Sequence, residues 1–333
     1  MKSEFNTIDI VITWVDGNDP AWLNERNKYV FLDELKDKST AGTERFEDTN
    51  LLQYVFRGIE KYMPWVRKIH FVTWGHLPKW LNTNNPKIHI VNHKDFIPKE
   101  FLPTFNSATI NLNLHRIPDL ADKFIYFNDD MFVLKPTDST LFFKKGLPRD
   151  MAVQDIIEAY SIFDNYNYTV VNDLSLLNHL VSKNNFIRKN RFKYYSFRYG
   201  FKSNVKNLLL SRFSLFTGFI EPHTPAAYMK KTFEDVWKIF PNELSDSCKS
   251  KIRCQHTITE NVVRYYQMAQ GMFVPINREK FGTYSIMKQK NLPEFIRKQH
   301  KNLLCINYSD KDNFKKVKDA LDSLMLDKSS FEI

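Results

Sequence analysis

Cysteine is scarce in this chain of 333 residues, which holds only Cys248, Cys254 and Cys305. Three thiols are too few for a disulfide framework, and Cys248 and Cys254 have no second pair to complete a zinc site. A reducing, cytoplasmic compartment is therefore the expectation. No apolar run approaches the roughly 18 residues that a membrane span needs. The N-terminal stretch MKSEFNTIDIVITWVDG carries Glu4 and Asp9 and lacks the layout of a signal peptide. Neither GxGxxG nor GxxxxGKS/T occurs, which excludes the usual dinucleotide fingerprint and the P-loop. Acidic residues vanish altogether between Leu174 and Ile220. That stretch holds nine bases, Lys183, Arg188, Lys189, Arg191, Lys193, Arg198, Lys202, Lys206 and Arg212, against a whole-chain net charge of +10. The basicity is thus local, and a local basic patch calls for an anionic partner.

What is present in quantity is apolar and aromatic: 43% hydrophobic, with 28 Phe and 15 Tyr, ample for a large core. IDIVITWV (8–15) reads as a buried strand that ends at Asp16-Gly17, with Asn18-Asp19-Pro20 as turn chemistry. Residues 21–35 have helical composition. Asp48 or Thr49 is positioned to cap a helix to Tyr62, with Leu51, Leu52, Val55, Phe56 and Ile59 on one face. IHFVTW (69–74) and IHIVN (88–92) read as strands. Asn106 or Ser107 caps a helix that Pro118 stops, and a strand follows over 123–128. Alternating strands and helices predict parallel βαβ units. The second half reads as mainly helical: 173–181, 225–240, 257–270 and an amphipathic helix over 312–326. The expected fold class is α/β, a mostly parallel sheet with a mainly helical second half packed on it. The divisions expected are 1–150 as catalytic core, 151–220 as a basic, aromatic-rich helical region, and 221–333 completing the site.

A mostly parallel sheet binds ligands beyond the carboxyl ends of its strands. FIYFNDDMFV (124–133) ends a strand in Asn128-Asp129-Asp130. Two adjacent carboxylates are costly to bury without a counter-charge. The pair suits Mg²⁺ or Mn²⁺ bridging a diphosphate, a catalytic role, or a plain solvated turn. Asp16 could meet a ribose, a base or the metal, with Gly17 admitting a nucleotide to the backbone, or both could simply form a turn. His223, in EPHTP (221–225), is a base for an attacking hydroxyl or a surface histidine. Arg253 suits a diphosphate by its fork, or is merely solvated. The basic stretch, laced with Phe192, Tyr194, Tyr195, Phe197, Tyr199 and Phe201, has the composition of a membrane-interface or nucleic-acid surface, or of a cationic face over core aromatics. No nucleic-acid motif accompanies it.

Taken in order, IDIVITWVDGNDP (8–20), RFEDTNLLQYVFRGIEKYMPWVRKIHFVTWGHLPKWL (45–81), NPKIHIVNHKDFIP (85–98), LPTFNSATINLNLHRIPDLADKFIYFNDDMFV (102–133), EPHTPAAYMKKTFEDVW (221–237) and KIRCQHT (251–257) resemble the conserved blocks of the Stealth family. The resemblance is to its short bacterial capsular-polysaccharide phosphotransferases, which are related to the animal N-acetylglucosamine-1-phosphotransferase. It implies a glycosyltransferase-like (Rossmann-type) core and the transfer of sugar 1-phosphate from a UDP-sugar, with UDP-N-acetylhexosamine favoured. The acceptor is a saccharide hydroxyl and UMP leaves. It further implies Mg²⁺ or Mn²⁺ at Asp129 and Asp130, with catalysis by Asp130 and His223. Donor binding falls to Asp16, Gly17, Asn106, Ser107, Arg116 and Arg253, with His115 in the same block. The chain departs from the family pattern at Asn111, where many members have Glu, and around Cys305-Ile306-Asn307-Tyr308, where an acidic residue is common. The expected partners are donor and acceptor, with no nucleic acid. The basic stretch is expected to hold acceptor polymer or to lie against the inner face of the membrane.

Overall fold

A computed structural model describes residues 7–30, 51–158, 165–308 and 313–333. The main sheet has the order β3-β2-β1-β4-β8. Its members are β1 (Ile8–Thr13), β2 (Ile69–Thr73), β3 (Ile88–Asn92), β4 (Lys123–Asn128) and β8 (Ala226–Met229). The first four are parallel, and β8 runs antiparallel along β4. From β1 the chain steps outward to β3, then returns to the other side of β1 as β4. That reversal makes a topological switch point between β1 and β4, where α/β sheets open a crevice beyond their carboxyl ends.

Alternation along the strands builds a core on each face. Ile10, Ile12, Phe71, Ile125 and Phe127 belong to one, Val11, Val72, Phe124 and Tyr126 to the other. On the first face lie α2 (Leu52–Tyr62) and α13 (Phe314–Leu324). Gly58 of α2 is pressed so close to Val133, just beyond β4, that a Cβ there would sit 2.6 Å from the Val133 carbonyl. On the second face lie α4 (Ser107–Leu112), α9 (Lys230–Ile239), α10 (Pro241–Lys249) and α11 (Asn261–Ala269).

Two small sheets flank the large one. β10 (Gly282–Ile286), β11 (Leu303–Asn307) and β5 (Met131–Val133) form one, and β6 (Phe143–Lys144), β7 (Leu147–Asp150) and β9 (Val274–Pro275) the other. Helices α1 (Pro20–Asn27), α3 (His93–Phe96) and α12 (Leu292–Arg297) fill connections. A helical cap is built from α5 (Asn165–Leu180), α6 (Lys183–Lys189), α7 (Arg191–Tyr194) and α8 (Phe201–Leu210).

The helix expected over 21–35 ends at Asn27, with Lys28 as its C-cap, and α2 begins at Leu52 behind Leu51; Asp48 and Thr49, expected to cap it, lie outside the described residues. Two further readings are corrected. Residues 225–240 are not one helix, because Ala226–Met229 pairs with the open edge of β4 before α9 begins at Lys230. The 106–117 helix turns 3-10 at Leu114–Arg116. The second half is also less purely helical than its composition implied, since it supplies β8, β10 and β11.

At the amino edge of the sheet, Asp9 is fully buried in β1. Its two carboxylate oxygens accept from Arg67 Nε (2.8 Å) and Nη2 (2.6 Å). The backbone N–H of Ala121 adds 2.8 Å and His70 Nε2 lies at 2.9 Å. Since a carboxylate only accepts, His70 Nε2 is the donor, and its Nδ1 shares a hydrogen bond with His89 Nδ1 at 2.8 Å. The chain Asp9–His70–His89 crosses β1, β2 and β3 and fixes their register. Burial alone would raise the Asp9 carboxyl, but Arg67, His70 and Ala121 together bring it down from 3.8 to about 2. A depressed acid stabilises the fold above its unfolded value and loses that contribution as pH falls through its folded value. Urea titrations should therefore lose about 2 kcal/mol of stability between about pH 4 and pH 2 from this group. Asp9→Asn should abolish that part of the slope; an unchanged acid slope would show that Asp9 does not carry it.

Candidate functional site

The carboxyl edge of the sheet is polar where its strands end. Thr13 of β1 stands opposite Asn128 of β4. Between them the buried Tyr126 hydroxyl donates to Asn128 Oδ1 and lies 3.2 Å from Thr13 Oγ1. Burial, then the nearby Glu260, push this hydroxyl far above its ordinary value, so it stays a neutral donor. Past β1, Asp16 forms a tight turn in which its Oδ1 accepts from Asn18 N at 2.9 Å, with Gly17 inside it. The Asp16 N–H donates to His76 Nε2 at 2.7 Å. His76 must then carry its proton on Nδ1, which faces Asp19 Oδ2 at 3.5 Å. Burial lowers the His76 pKa, so the ring is a neutral clamp on the Asp16 turn.

Asp129 and Asp130 fall where the chain must leave the main sheet, because β5 pairs with β11 instead of with a neighbour of β4. The Asp130 carbonyl accepts from Ile306 N at 3.0 Å, which ties the acidic turn to β11. That tie brings Cys305 to Asp130. One atom each of Asp130, His223 and Cys305 lie within 4.8 Å of one another. Burial, then the charges of Asp130 and Asp129, push the Cys305 thiol well up. It is therefore a protonated group beside Asp130, not a thiolate. A hard cation such as Mg²⁺ takes oxygen ligands, which Asp129 and Asp130 can offer; sulfur and imidazole suit a softer ion. With Cys305 protonated, the residues fit a cation held through carboxylate oxygens.

His223 has a φ of 47°, a left-handed conformation that costs a non-glycine residue about 1 kcal/mol. Its surroundings hold it there. Arg278 donates to the carbonyls of Thr224 (2.9 Å) and Pro225 (3.2 Å), and Arg264 to that of Ile220 (3.2 Å). Both guanidiniums converge on buried Asp150, Arg264 at 2.7 and 2.8 Å and Arg278 at 3.4 Å. Burial would raise the Asp150 carboxyl, but the two arginines hold it below its usual range. Glu221 accepts from Tyr265 and, at 3.1 Å, from Asn261. The exposed His223 ring meets the edge of Tyr284 at 5.4 Å, and Asn307 Nδ2 donates to the Tyr284 hydroxyl at 2.7 Å.

A second group lies along the N-termini of α4 and α11. Asn106 caps α4 through Ala108 N at 3.1 Å, and Ser107 Oγ accepts from Arg253 Nη2 at 2.7 Å. Asn111 is buried beside both Tyr126 and Glu260. Burial raises the Glu260 carboxyl, with Arg253 and Glu221 among its charged neighbours. Asp173 is buried beside it, accepts from Thr259 N at 2.8 Å, and is pushed well up by burial.

The structure thus joins Asp130 to His223 and Ser107 to Arg253, and it links both groups to the sheet edge. Arg116 instead lies over the Trp237 ring at 4.9 Å, and His115 is buried against Phe233 and neutral, its pKa lowered to about 3 by burial. Sequence reasoning missed Cys305, Glu260 and Tyr284. Cys305 stands out in the sequence only as a spare thiol and as part of the block that departs from the family pattern, and its neighbour Asp130 stands far away along the chain. Glu260 had one signal, Asn111: a carboxylate lies beside the position where the family pattern would have one.

The loop depends on Gly282 as well, where a Cβ would meet Thr224 Cγ2 at 2.6 Å. Gly282→Ala should cost about 1–3 kcal/mol in urea unfolding and shift the NMR signals of the His223 ring. Unchanged stability with unchanged ring signals would show that β10 does not hold the loop.

The family described as Stealth protein CR1, conserved region 1, matches residues 6–31, and Stealth protein CR2, conserved region 2, matches 45–150. The chain is 37% identical to the capsular polysaccharide phosphotransferase WcwK of Streptococcus pneumoniae, over 91% of this chain and 90% of that protein. It is 34% identical to the exopolysaccharide phosphotransferase cps2G of Lactiplantibacillus plantarum, over 98% and 96%. It is 32% identical to the receptor polysaccharide phosphotransferase WefC of Streptococcus oralis, over 98% and 100%. Among solved structures, the galactosyltransferase LgtC covers 95% of this chain and 96% of its own at a TM-score of 0.40 and 12% identity, too distant a likeness to carry an assignment.

Proposed function

The chain belongs to the Stealth family of transferases, and from that premise we propose that it moves a sugar 1-phosphate from a UDP-sugar, UDP-N-acetylhexosamine for preference, onto a saccharide hydroxyl during capsule or exopolysaccharide synthesis. The observation that carries the reading is the meeting of Asp130 and His223 at the carboxyl edge of the sheet.

The acceptor oxygen attacks the β-phosphorus, forming a new P–O bond. The bond from that phosphorus to the bridging oxygen breaks, and its electron pair leaves with UMP. His223 takes the proton of the acceptor hydroxyl; its exposed, loop-held ring suits that task. A divalent cation on Asp129 and Asp130 would offset charge on the phosphate oxygens. Arg253, with Ser107 beside it, supplies a fork for phosphate. Asp16 and Gly17 face the donor nucleoside from the other side of the switch point, with Asn106 shaping the wall through its cap on α4. Arg116, engaged with Trp237, would act at the periphery of the donor site. Tyr284, against His223, belongs to the acceptor side.

A glycosyltransferase would use the same carboxylates but attack the anomeric carbon and release UDP. The leaving group separates the two. Incubation with a panel of UDP-sugars, Mg²⁺ and capsule oligosaccharides should yield UMP and a product heavier by one sugar phosphate on mass spectrometry. UDP release would favour the glycosyltransferase. Metal-independent, salt-sensitive binding to random DNA with no donor turnover would favour a nucleic-acid-binding protein instead. Asp130→Asn and His223→Ala should each lower turnover roughly a hundred- to ten-thousandfold with folding intact. Full activity in either would remove that residue from the mechanism.

A further inference from the structure

Helix α8 carries its apolar residues on the outside. Phe201, Val205, Leu208 and Leu209 recur at the spacing of one helical face, and all four are exposed, Phe201 at 84%. The opposite face buries Asn207. Its Nδ2 donates to the carbonyls of Ala152 (3.0 Å) and Tyr194 (2.7 Å), and its Oδ1 accepts from Gln154 N (2.8 Å). Rolling the helix to hide the apolar face would strand these buried polar groups, so its orientation is fixed. Phe192 and Phe197 add two rings exposed at 90% and 84%. Tyr194 and Tyr199, close by in the chain, are buried, with their hydroxyls donating to Asn207 O (3.1 Å) and Lys193 O (2.8 Å). Asn204 Nδ2 ties this segment to α8 through Ser196 O (2.9 Å) and Gly200 O (3.0 Å). The tyrosines anchor the segment and the phenylalanines project from it.

The bases divide in the same way. Lys183 is buried and donates to Leu210 O (2.6 Å) and Leu215 O (2.9 Å), Lys193 donates to Gly271 O, and Lys206 pairs with Asp155 at 2.6 Å. Arg188, Lys189, Arg191, Arg198, Lys202 and Arg212 remain on the exposed surface. No acid occurs between Leu174 and Ile220 to balance them.

We propose that this cap is a bilayer-docking surface. Phe192, Phe197, Phe201 and Leu208 enter the boundary between headgroups and acyl chains of an anionic membrane, and the six bases meet its phosphates. Exposed apolar side chains interspersed with bases, as in Arg191-Phe192, Phe197-Arg198 and Phe201-Lys202, are the composition that seats a protein in a membrane interface. A polysaccharide offers nothing to bury these side chains, stacked bases would leave the leucines uncovered, and a second copy would bring like charge. The proposal goes beyond the transfer reaction and does not depend on it.

The test is co-flotation of the full chain with vesicles of phosphatidylcholine alone and of phosphatidylcholine with phosphatidylglycerol. The protein should float with the anionic vesicles and far less with the neutral ones. Phe192→Ser, Phe197→Ser and Phe201→Ser combined should cut recovery at least about tenfold while leaving the melting temperature unchanged. Lys189→Gln, Arg191→Gln and Lys202→Gln combined, which spare the apolar face, should cut recovery on anionic vesicles by a similar factor. The proposal is overturned if the unaltered chain stays at the bottom of the gradient or if either variant floats as it does. It is also overturned if light scattering shows a dimer that the phenylalanine variant dissolves.

Discussion

The buried Asp150 carboxylate is the point on which the carboxyl edge of the sheet depends. It ends β7, receives both forks of Arg264 from α11, and draws Arg278 from the turn before β10. Those two arginines hold the carbonyls of Ile220, Thr224 and Pro225, so one carboxylate fixes a loop that would otherwise relax out of the left-handed turn at His223. A buried ion pair is weak evidence of net stability, but removing one partner strands the others, at roughly 3–5 kcal/mol. Here the stranded groups would be two guanidiniums under the proposed base. The same network reaches the helical cap, because Asn277 donates to Tyr199 O at 3.0 Å and the Tyr199 hydroxyl accepts from Ala152 N at 3.1 Å.

The edge itself follows from topology. Reversal of strand order between β1 and β4 leaves a crevice, and Asp16 and the acidic pair emerge on its two sides. Because β8 runs antiparallel to β4, the loop before it returns to the same edge, which is how His223 meets Asp130. β11 closes the arrangement by pairing with β5 and holding the acidic turn through Ile306. Three stretches far apart along the chain thus reach one edge by strand pairing.

Charge is managed oppositely at the two edges. At the amino edge Asp9 is surrounded by donors and held ionised as a structural post. At the carboxyl edge Asp173 and Glu260 are pushed up by burial. Buried acids raised in this way suit polar substrate groups, whereas a fully paired carboxylate such as Asp9 is a structural post.

The sequence by itself determined the parallel strands, because apolar runs of five or six residues bounded by turn residues have few other ways to be buried. It determined the acidic strand end, the His223 turn and the local surplus of bases, since each is a contiguous pattern. Tertiary structure decided what contiguity cannot show. Cys305 became a partner of Asp130, and Glu260 took the place beside Asn111, through pairings between distant segments. Residues 225–240 split into strand and helix because an open sheet edge outweighed helical propensity. Lys183 left the basic surface to fill buried carbonyls, and α8 turned its apolar face outward because rolling it would strand the buried backbone groups of Ala152, Gln154 and Tyr194 that Asn207 bonds. Such choices weigh burial against the hydrogen bonds of buried groups across the whole fold, and periodicity along one segment does not contain that comparison.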